Sequence, residues 1–478
     1  MLAEIQNQAP EKMFVVMPDD VEVSPFQIET HRFDDYAAYF RIAKKNLVQD
    51  ANRVIDTYPE PASHCDICQW WTDCDKRRRE DDHLTFVAGI QKAQIVEFKK
   101  QGITTLTGLA TADSPIQISK ESGSNDSIQR THQQARIQYK GAQSNKPEFE
   151  FLDVVHPAEK DNQFRGFLKL PAPDKADLFF DIESARHAPG GGLEYLLGYV
   201  YGDAEKPVFD HFWGLNRQDE KTAFESFIDL AIQRLDTSPG MHIYHFAPYE
   251  PVAMKRLATR HATREAELDH LLRQQVFVDL YSVTRQAIRA SVESYSIKCL
   301  EPFYNFEREE ELTDARDAMH AMEALLECNA SHYIEDKHRQ AILTYNRDDC
   351  LSTLKLRDWL ETLRTQRTNN GVDLPRPPAP NNNQTDDTAV SEEVAAVYQE
   401  LTKGITDIPV PERTQRQNAK WLLAHSLDYF NRERKNAWWE YFRLRELDES
   451  ELLNERTAIT GLTSVSYTHL TLPTIYSV

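Results

Sequence analysis

The 478-residue chain lacks the features that would carry it out of a reducing compartment. It has only six cysteines, no signal-peptide pattern at its start and no apolar run long enough to cross a bilayer. We therefore expect a cytoplasmic protein without disulfide bonds and with no membrane partner. The sequence also lacks a Gly-x-x-x-x-Gly-Lys-Ser/Thr loop, so helicase activity is not expected of these residues.

Positive charge is scarce in this chain. Lys and Arg number 55 against 76 Asp and Glu, which gives a formal net charge of −21. Because affinity for nucleic acids depends mainly on neutralising phosphates, this balance argues against indiscriminate binding of polyanions. A nuclease is not excluded, since the acids of a metal site add to the negative count and bound cations reverse the local field. We interpret the acidic run from Glu307 to Asp317 as a solvated helix face.

Two pairs of side chains carry the chemistry. Asp181 and Glu183 end an apolar strand, and alternate residues of a strand point the same way. Tyr345 and Asp349 are four residues apart on a predicted helix and also share a face. Three carboxylates and a hydroxyl are the groups that two Mg²⁺ or Mn²⁺ ions need for phosphodiester hydrolysis. The pattern therefore predicts a two-metal nuclease site.

The elements between these pairs follow an informative order. Hydrophobic periodicity predicts three strands, a helix and a further strand in residues 175–181, 194–201, 208–213, 220–235 and 241–246. Three hairpin-linked strands, a helix, another strand and terminal helices are the layout of the ribonuclease H-like fold. The predicted fold class is α/β: a ribonuclease H-like mixed sheet with flanking helices, plus small α-rich N-terminal and C-terminal segments.

The segment from about Gln163 to Arg364 resembles the DEDD exonuclease superfamily, tyrosine subclass, and within it the YprB-type ribonuclease H-like domain. The resemblance rests on four stretches: Phe179-Phe-Asp-Ile-Glu183, His242-Ile-Tyr-His-Phe-Ala-Pro-Tyr-Glu250, Ser294-Tyr-Ser-Ile-Lys298 and Tyr345-Asn-Arg-Asp-Asp349. It implies two Mg²⁺ or Mn²⁺ ions as cofactors. It also implies that Asp181, Glu183 and Asp349 are metal ligands and that Tyr345 orients the attacking water.

The second stretch departs from the superfamily pattern, because Glu250 replaces the usual aspartate. The extra methylene moves the carboxylate, and preorganised sites tolerate such shifts poorly. A glutamate can still bind a metal from a repositioned helix, so Glu250 stays among the catalytic candidates. Asp279 is a rival acid, for which a strand-end or helix-capping role is favoured. Asp348 lacks the four-residue spacing from Tyr345 that Asp349 has.

A second motif gathers three of the six cysteines: Cys65, Cys68 and Cys74. In a reducing compartment such thiol clusters usually bind zinc or iron–sulfur clusters. His64 or His83 would complete a zinc site, whereas a 4Fe–4S cluster needs a fourth cysteine. The remaining cysteines are expected to be buried small hydrophobes: Cys299, Cys328 and Cys350.

The Cys-x2-Cys-x5-Cys spacing resembles the cysteine triplet of RecB-like iron–sulfur nucleases, whose fourth ligand lies far upstream. Residues 1–112 then look like the rear part of such a domain, with an incomplete metal set and no RecB-type catalysis. We interpret the chain as a fragment of a longer protein. In the resembling family, the full-length chain includes a superfamily-one helicase domain as a partner.

Composition divides the chain further. We predict six segments. Residues 1–112 form a RecB-like rear part with the cysteine cluster and a helical hairpin, 113–162 a linker and connecting segment, and 163–365 the ribonuclease H-like domain. Residues 366–390 form a Pro/Asn-rich linker, 391–462 a helical connector and 463–478 a non-native tail. The tail resembles translated sequencing-adapter sequence.

Two of these segments contain further local patterns. The apolar spacing of residues 87–110 predicts two short helices around Gln101-Gly102, which either bind phosphates or pack on a neighbouring element. Aromatic and basic residues interleave in the connector, where they either form a core or stack bases.

These patterns predict a metal-dependent nuclease, a 3′–5′ exonuclease acting on single-stranded DNA or RNA. The competing hypothesis is a catalytically impaired nucleic-acid-binding or interaction module of a larger nuclease–helicase. A third hypothesis makes the cysteine block a zinc module and the functional centre.

Overall fold

The computed structural model describes residues 11–18, 26–52, 58–62, 64–65, 68–113, 116, 125–157, 164–202, 205–309, 312–378, 392–406, 408, 410–447, 452, 455 and 457–459. The tail expected at 463–478 and residues 379–390 of the Pro/Asn-rich linker lie outside these residues. The described strands are β1 Lys12–Pro18, β2 Phe26–Arg32, β3 Phe149–Phe151, β4 Leu178–Ala185, β5 Leu193–Tyr201, β6 Val208–Trp213, β7 Ile243–His245, β8 Phe277–Asp279 and β9 Ile288–Ala290.

The described helices outnumber the strands. They are α1 Phe33–Asn52, α2 Trp71–Glu80, α3 Lys92–Lys100, α4 Leu106–Ala110, α5 Asn125–Ser144, α6 Arg217–Thr237, α7 Tyr249–His261, α8 Glu265–Arg273, α9 Leu280–Ala287, α10 Ile297–Leu300, α11 Leu312–Glu327, α12 Asp336–Asn369, α13 Glu392–Thr402, α14 Gln415–Ser426 and α15 Tyr429–Glu446. Helix α5 and strand β3 both fall in the segment 113–162, which therefore contains regular structure as well as linker.

The chain forms two compact units, one of residues 1–85 with 140–382 and one of residues 86–139 with 383–478. The first unit contains a five-stranded sheet in the order β6-β5-β4-β7-β8. Strands β6, β5 and β4 are antiparallel neighbours, whereas β4, β7 and β8 run parallel. This mixed sheet with flanking helices is consistent with the predicted ribonuclease H-like α/β fold.

Both faces of the sheet are covered by apolar packing. Leu178, Phe180 and Ile182 of β4 belong to a core with residues of α6 and α7. Phe179, on the opposite face, packs in a second core with residues of α12. Because strand residues alternate between faces, Asp181 lies on the same side as Phe179, beneath α12. The alternation therefore directs the acids of β4 toward the helix that carries the second motif.

The second unit is helical in its described residues. Helices α3 and α4 occupy the region predicted to form a hairpin, and Thr105 caps α4 by accepting a hydrogen bond from the Gly108 amide. Near the C-terminus, α13 packs against α14. The exposed large apolar side chains of α14 and α15 are Leu422, Leu423, Tyr429, Phe430, Trp438 and Tyr441. Among the residues described there, these aromatic side chains do not form a buried core.

The acidic run from Glu307 to Asp317 differs from its interpretation as a helix face. Helix α11 begins only at Leu312, and residues 307–309 precede it without helical structure. Arg308, in the middle of this stretch, has a side chain that is only 8% exposed. The described acids of the run are exposed as predicted: Glu307, Glu309, Asp314 and Asp317. Arg308 is not exposed, because its guanidinium binds Glu301 and Asp349, and local charge in the sequence does not reveal these contacts.

Candidate metal centre

Strand β4 supplies two carboxylates to one point of the sheet. Asp181 and Glu183 lie within β4, which continues to Ala185 instead of ending at the acids as the sequence suggested. The strand irregularity between Glu183 and Ser184 relative to β5 follows directly after them. Pairing with β5 resumes at Ser184 and Ala185 in a shifted register, and such irregularities re-aim side chains beside functional sites.

Helix α12 supplies the third carboxylate. The side chains of Asp181, Glu183 and Asp349 each offer an oxygen, and these oxygens all lie within 4.8 Å of one another. In the part of the chain that the structure describes, no other set of three or more His, Cys, Asp or Glu side chains comes together in this way. The chain brings the three predicted metal ligands together from positions more than 160 residues apart.

Burial and mutual repulsion disturb the ionisation of this cluster. Loss of water around Glu183, and next the charge of Asp349, raise its pKa to about 8. Burial, Asp349 and Glu183 likewise raise the pKa of Asp181 well above its usual range. A divalent cation would remove this repulsion, and carboxylate oxygens are the ligands that Mg²⁺ and Mn²⁺ prefer. The donor set therefore fits a hard divalent metal ion.

Tyr345 stands beside the cluster on the same helix. Its hydroxyl accepts a hydrogen bond from Lys298 Nζ, which also lies 4.8 Å from the centre of the Tyr345 ring. Burial, and next the neighbouring carboxylates of Asp349 and Glu183, raise the pKa of Tyr345. The hydroxyl is therefore protonated at neutral pH and keeps its own hydrogen for another acceptor. Lys298 was part of the sequence resemblance, but its contact with Tyr345 was not predicted.

Glu250 lies close to the cluster without joining it. It sits in the first turn of α7 with its side chain 5% exposed, and its Oε2 is 3.4 Å from His245 Nδ1. His245 Nδ1 is 2.7 Å from the Ala247 carbonyl oxygen, to which it donates, so Glu250 Oε2 is left without a hydrogen-bond partner in the described structure. Burial raises the pKa of Glu250 despite the nearby His245. Glu250 is thus a buried acid whose Oε2 lies near an imidazole nitrogen but accepts no hydrogen bond from the described residues.

The two rival acids have other partners. Asp279 ends β8 and caps α9, where its Oδ1 accepts hydrogen bonds from the amides of Tyr281 at 2.9 Å and Ala247 at 2.8 Å. This confirms the strand-end and capping role that the sequence favoured. Asp348 Oδ2 accepts from the Glu309 amide at 2.8 Å and is absent from the three-acid group.

Two neighbours of the cluster were missed by the sequence patterns. Asn346 Nδ2 donates to Asp181 Oδ2 at 2.7 Å, and Arg308 Nη2 donates to Asp349 Oδ1 at 2.6 Å. Asn346 is three residues before Asp349, so helical spacing could have placed it on the cluster side. Arg308 offers no such signal, because its contact depends on a loop far from the helix in sequence.

The three cysteines of the N-terminal motif are less closely grouped than the three acids. Cys65, Cys68 and Cys74 are partly buried free thiols, and within the described residues they do not form a group of metal-binding spacing. The Cys65 sulfur accepts a hydrogen bond from the Ala62 amide. His83, one candidate for completing a zinc site, has Nδ1 3.0 Å from Thr85 Oγ1. Metal binding at this motif therefore stays a prediction.

The other cysteines only partly follow expectation. Cys350 is a buried residue of α12, and its thiol lies 3.4 Å from the Gly198 carbonyl oxygen of β5. Cys299 is partly buried against the same core. Cys328 is exposed, so its predicted burial was wrong. It follows α11 directly, where the helix has ended and no longer packs it inward.

No described helix is both long enough and apolar enough to cross a membrane. Residues 178–361 match the model of the RNase H superfamily. Neither the curated proteins nor the solved structures returned a significant match. The matched segment runs from the start of β4 into α12 and includes the three clustered acids. An RNase H-like domain implies binding of nucleic acid, and together with the acidic cluster it supports a nuclease-type function.

Proposed function

We propose that the RNase H-like domain is a metal-dependent 3′–5′ exonuclease that acts on single-stranded DNA or RNA through a DEDD-type two-metal site. One observation carries the proposal. Asp181, Glu183 and Asp349 place their oxygens within 4.8 Å of one another, with Tyr345 one helical turn from Asp349. This is the ligand set and the hydrogen-bonding group that metal-assisted phosphodiester hydrolysis requires.

The proposed reaction breaks one bond and forms another at phosphorus. The oxygen of water attacks the phosphorus of the terminal phosphodiester, the bond to the 3′ oxygen of the preceding nucleotide breaks, and that oxygen takes up a proton. The products are a nucleoside 5′-monophosphate and a strand shortened by one nucleotide. Bound Mg²⁺ or Mn²⁺ would supply a reactive water at neutral pH and charge stabilisation for the leaving oxygen.

The protein side chains would bind the metal ions and position the attacking water. Asp181, Glu183 and Asp349 would hold the ions, and Glu250 would contribute its Oε2 from α7. Tyr345 would orient the attacking water, since its protonated hydroxyl is fixed by Lys298 and keeps one hydrogen to donate. Positioning of the nucleophile in this manner lowers the barrier without any covalent intermediate.

The test is cleavage of single strands labelled at the 5′ end, with Mn²⁺ present and absent. We expect stepwise shortening from the 3′ end that depends on Mn²⁺. The Asp181→Ala, Asp349→Ala double variant should lose this activity, because it removes two of the three clustered ligands. Equal cleavage by the double variant and the wild type would sink the proposal.

The neighbouring residue of Asp349 provides a matched control. Asp348→Asn changes an acid that is adjacent to Asp349 in sequence but binds the Glu309 amide and not the cluster. The amide oxygen of asparagine can keep that hydrogen bond. We expect near wild-type cleavage from this variant and loss of cleavage from Asp349→Asn, and comparable losses in both would point to general damage of α12.

A second candidate function is a catalytically impaired nucleic-acid-binding or interaction module. It is favoured by the position of Glu250, which is absent from the three-acid group and lies against His245. Titration with Mn²⁺ while thermal unfolding is followed separates the two. A functional site should raise the melting temperature through linked binding, whereas a decayed one should give no response.

The finer sequence predictions stay proposals. They include the RecB-like origin of residues 1–112, iron–sulfur or zinc binding at the cysteine motif, a helicase partner in a longer chain, and a cytoplasmic location. Anaerobic purification tests the cysteine motif, because an iron–sulfur cluster would colour the protein and a zinc module would give stoichiometric zinc without visible absorbance.

A further inference from the structure

Arg308 is held rigidly at the edge of the acidic cluster. Its Nε and Nη2 donate to the two carboxylate oxygens of Glu301 at 3.2 and 2.6 Å. Glu301 is itself buried and accepts a hydrogen bond from Ser352 Oγ of α12 at 3.0 Å. The guanidinium is therefore anchored from behind by a partner that belongs to the same domain, and its orientation does not depend on Asp349.

The outer edge of the same guanidinium faces the cluster. Nη2 uses its second hydrogen to donate to Asp349 Oδ1 at 2.6 Å. Because the guanidinium is planar, the Nη1 hydrogen on that edge points parallel to the Nη2 hydrogen bond. Nη1 thus lies beside the Asp349 carboxylate, on the edge of the guanidinium that faces this member of the acidic cluster. Asp349 keeps its other oxygen for a metal ion.

Nη1 is a buried donor without a hydrogen-bond partner in the described structure. Leaving such a donor unpaired costs free energy, so a buried arginine normally satisfies all its hydrogens. An open guanidinium donor fits an oxygen of a phosphate, because charge-assisted hydrogen bonds between arginine and phosphate are short and strong. The open position therefore points to a phosphoryl oxygen as its partner.

The charge balance agrees with an anionic ligand. Around the cluster, the carboxylates of Asp181, Glu183, Asp349 and Glu301 outnumber the cations Lys298 and Arg308. Two bound divalent ions would bring four positive charges and leave the site attractive to a phosphodiester. A cation already fixed in place contributes to transition-state stabilisation without reorganising.

Resting on the exonuclease activity proposed above, we propose that Arg308 is a further catalytic residue, whose Nη1 donates a hydrogen bond to a non-bridging oxygen of the scissile phosphate. That hydrogen bond strengthens as negative charge builds on the oxygen during attack by water. The arginine takes up no proton and forms no covalent bond. Its loss should therefore lower kcat while substrate affinity changes little.

The first test compares Arg308→Lys with Arg347→Lys under saturating Mn²⁺ and a 5′-labelled single strand. Lysine keeps the charge beside Asp349 but cannot present two parallel donors. We expect Arg308→Lys to reduce kcat by roughly 10²-fold, the loss typical of one oxyanion donor, with KM changed less than about threefold. Arg347, on the same helix as Asp349 but bound to Glu309, is the control and should keep wild-type kcat.

A second variant separates catalysis from folding. Arg308→Ala combined with Glu301→Gln removes the arginine without leaving its buried carboxylate partner charged. Addition of guanidinium ion should restore part of the lost activity in this double variant and none in Asp181→Ala. The gain in melting temperature on adding Mn²⁺ should persist in it, because the three-acid group is intact.

The outcomes distinguish this inference from the activity on which it rests. Absence of cleavage by the wild type overturns both. Cleavage by the wild type together with wild-type kcat in Arg308→Lys overturns the role of Arg308 alone. The role of Arg308 is also overturned if the Arg308→Ala, Glu301→Gln variant loses both its activity and its Mn²⁺ response and guanidinium restores neither. The arginine would then act only by holding the metal ligands in place.

Discussion

Glu183 lies among carboxylates that the fold brings together and that burial deprives of water. These effects raise its pKa from an ordinary 4.5 to about 8. Without a metal ion the folded chain therefore keeps a proton that the unfolded chain releases. The stabilising contribution is complete below about pH 4.5 and is lost as the pH rises through about 8. Asp181, whose pKa is raised in the same direction, adds to the loss.

Because the pKa of Glu183 is raised by folding, the stability of the metal-free protein should depend on pH. In EDTA, the melting temperature should fall as the pH rises from about 5 to about 8, and Glu183→Gln should flatten that fall. The gain on adding Mn²⁺ should grow over the same range, because protons compete with the ion for the carboxylates. Thermal unfolding in matched buffers measures both effects. Identical slopes for wild type and Glu183→Gln would show that Glu183 is not the titrating group.

Glu250 permits a second prediction for a single residue. Its Oε2 is buried without a hydrogen-bond partner in the described structure, so Glu250→Gln removes an unfavourable buried charge. We expect the metal-free protein to gain about 1–3 kcal/mol of unfolding free energy, while Mn²⁺-dependent cleavage falls. Chemical denaturation and the strand-cleavage assay are the measurements.

A buried acid with partners provides the control for that prediction. Glu220 is fully buried and bound to Arg217, Arg260 and His261. Glu220→Gln should lower the unfolding free energy, because it leaves the partly buried guanidinium groups of Arg217 and Arg260 without their counter-ion. If both glutamine variants lowered stability, Glu250 would have a stabilising partner after all.

Helix α12 is the element on which the site depends. Its 34 residues cross the sheet and carry Tyr345, Asn346 and Asp349. The crossing is close at β5, where a Cβ added to Gly198 would lie 1.6 Å from Asn346 Oδ1. Gly198 pairs with Asp181 in the neighbouring strand. The absence of a side chain at Gly198 therefore allows Asn346 to reach Asp181.

This contact predicts the effect of a single methyl group. Gly198→Ala should push α12 away from the sheet, lower the unfolding free energy by about 1–3 kcal/mol and weaken the Mn²⁺ response. Asn346→Ala in the same chain should recover the stability, because it removes the atoms that clash. Denaturation of both single variants and the double variant completes the cycle, and additive losses would argue against a direct clash.

At the scale of the whole molecule, charge sets the conditions for binding. The formal net charge of −21 repels a polyanion, and the clustered acids increase that repulsion at the site. Divalent ions are thus expected to control affinity for nucleic acid, in addition to their part in the chemistry.

Calcium provides a test, because it occupies oxygen sites and usually supports hydrolysis poorly. At constant ionic strength, Ca²⁺ should tighten binding of a fluorescent single strand to the wild type. It should change the affinity of the Asp181→Asn, Asp349→Asn variant much less, since the variant lacks two ligands. Fluorescence anisotropy measures both affinities. An equal response in the two proteins would place the calcium effect outside the three-acid group.

Much of the fold was predictable because local periodicity encodes it. The alternation around Asp181 and Glu183 predicted a strand, and the spacing of Tyr345 and Asp349 predicted a helix. Strands β5 and β6 lie where the pattern predicted them. The acids on these elements could therefore be assigned to their faces before the elements were placed in space.

The sequence by itself determined which side chains share a face of β4 and of α12, because covalent spacing fixes that geometry. Only the tertiary structure decided how far apart those faces lie. It drew Asp181, Glu183 and Asp349 into one group, kept Glu250 outside that group, and brought Arg308 to the edge of Asp349. Such approaches depend on packing between elements distant along the chain, as at Gly198, where a missing Cβ sets the distance. No local pattern records that distance, so the open arginine edge could be recognised only in three dimensions.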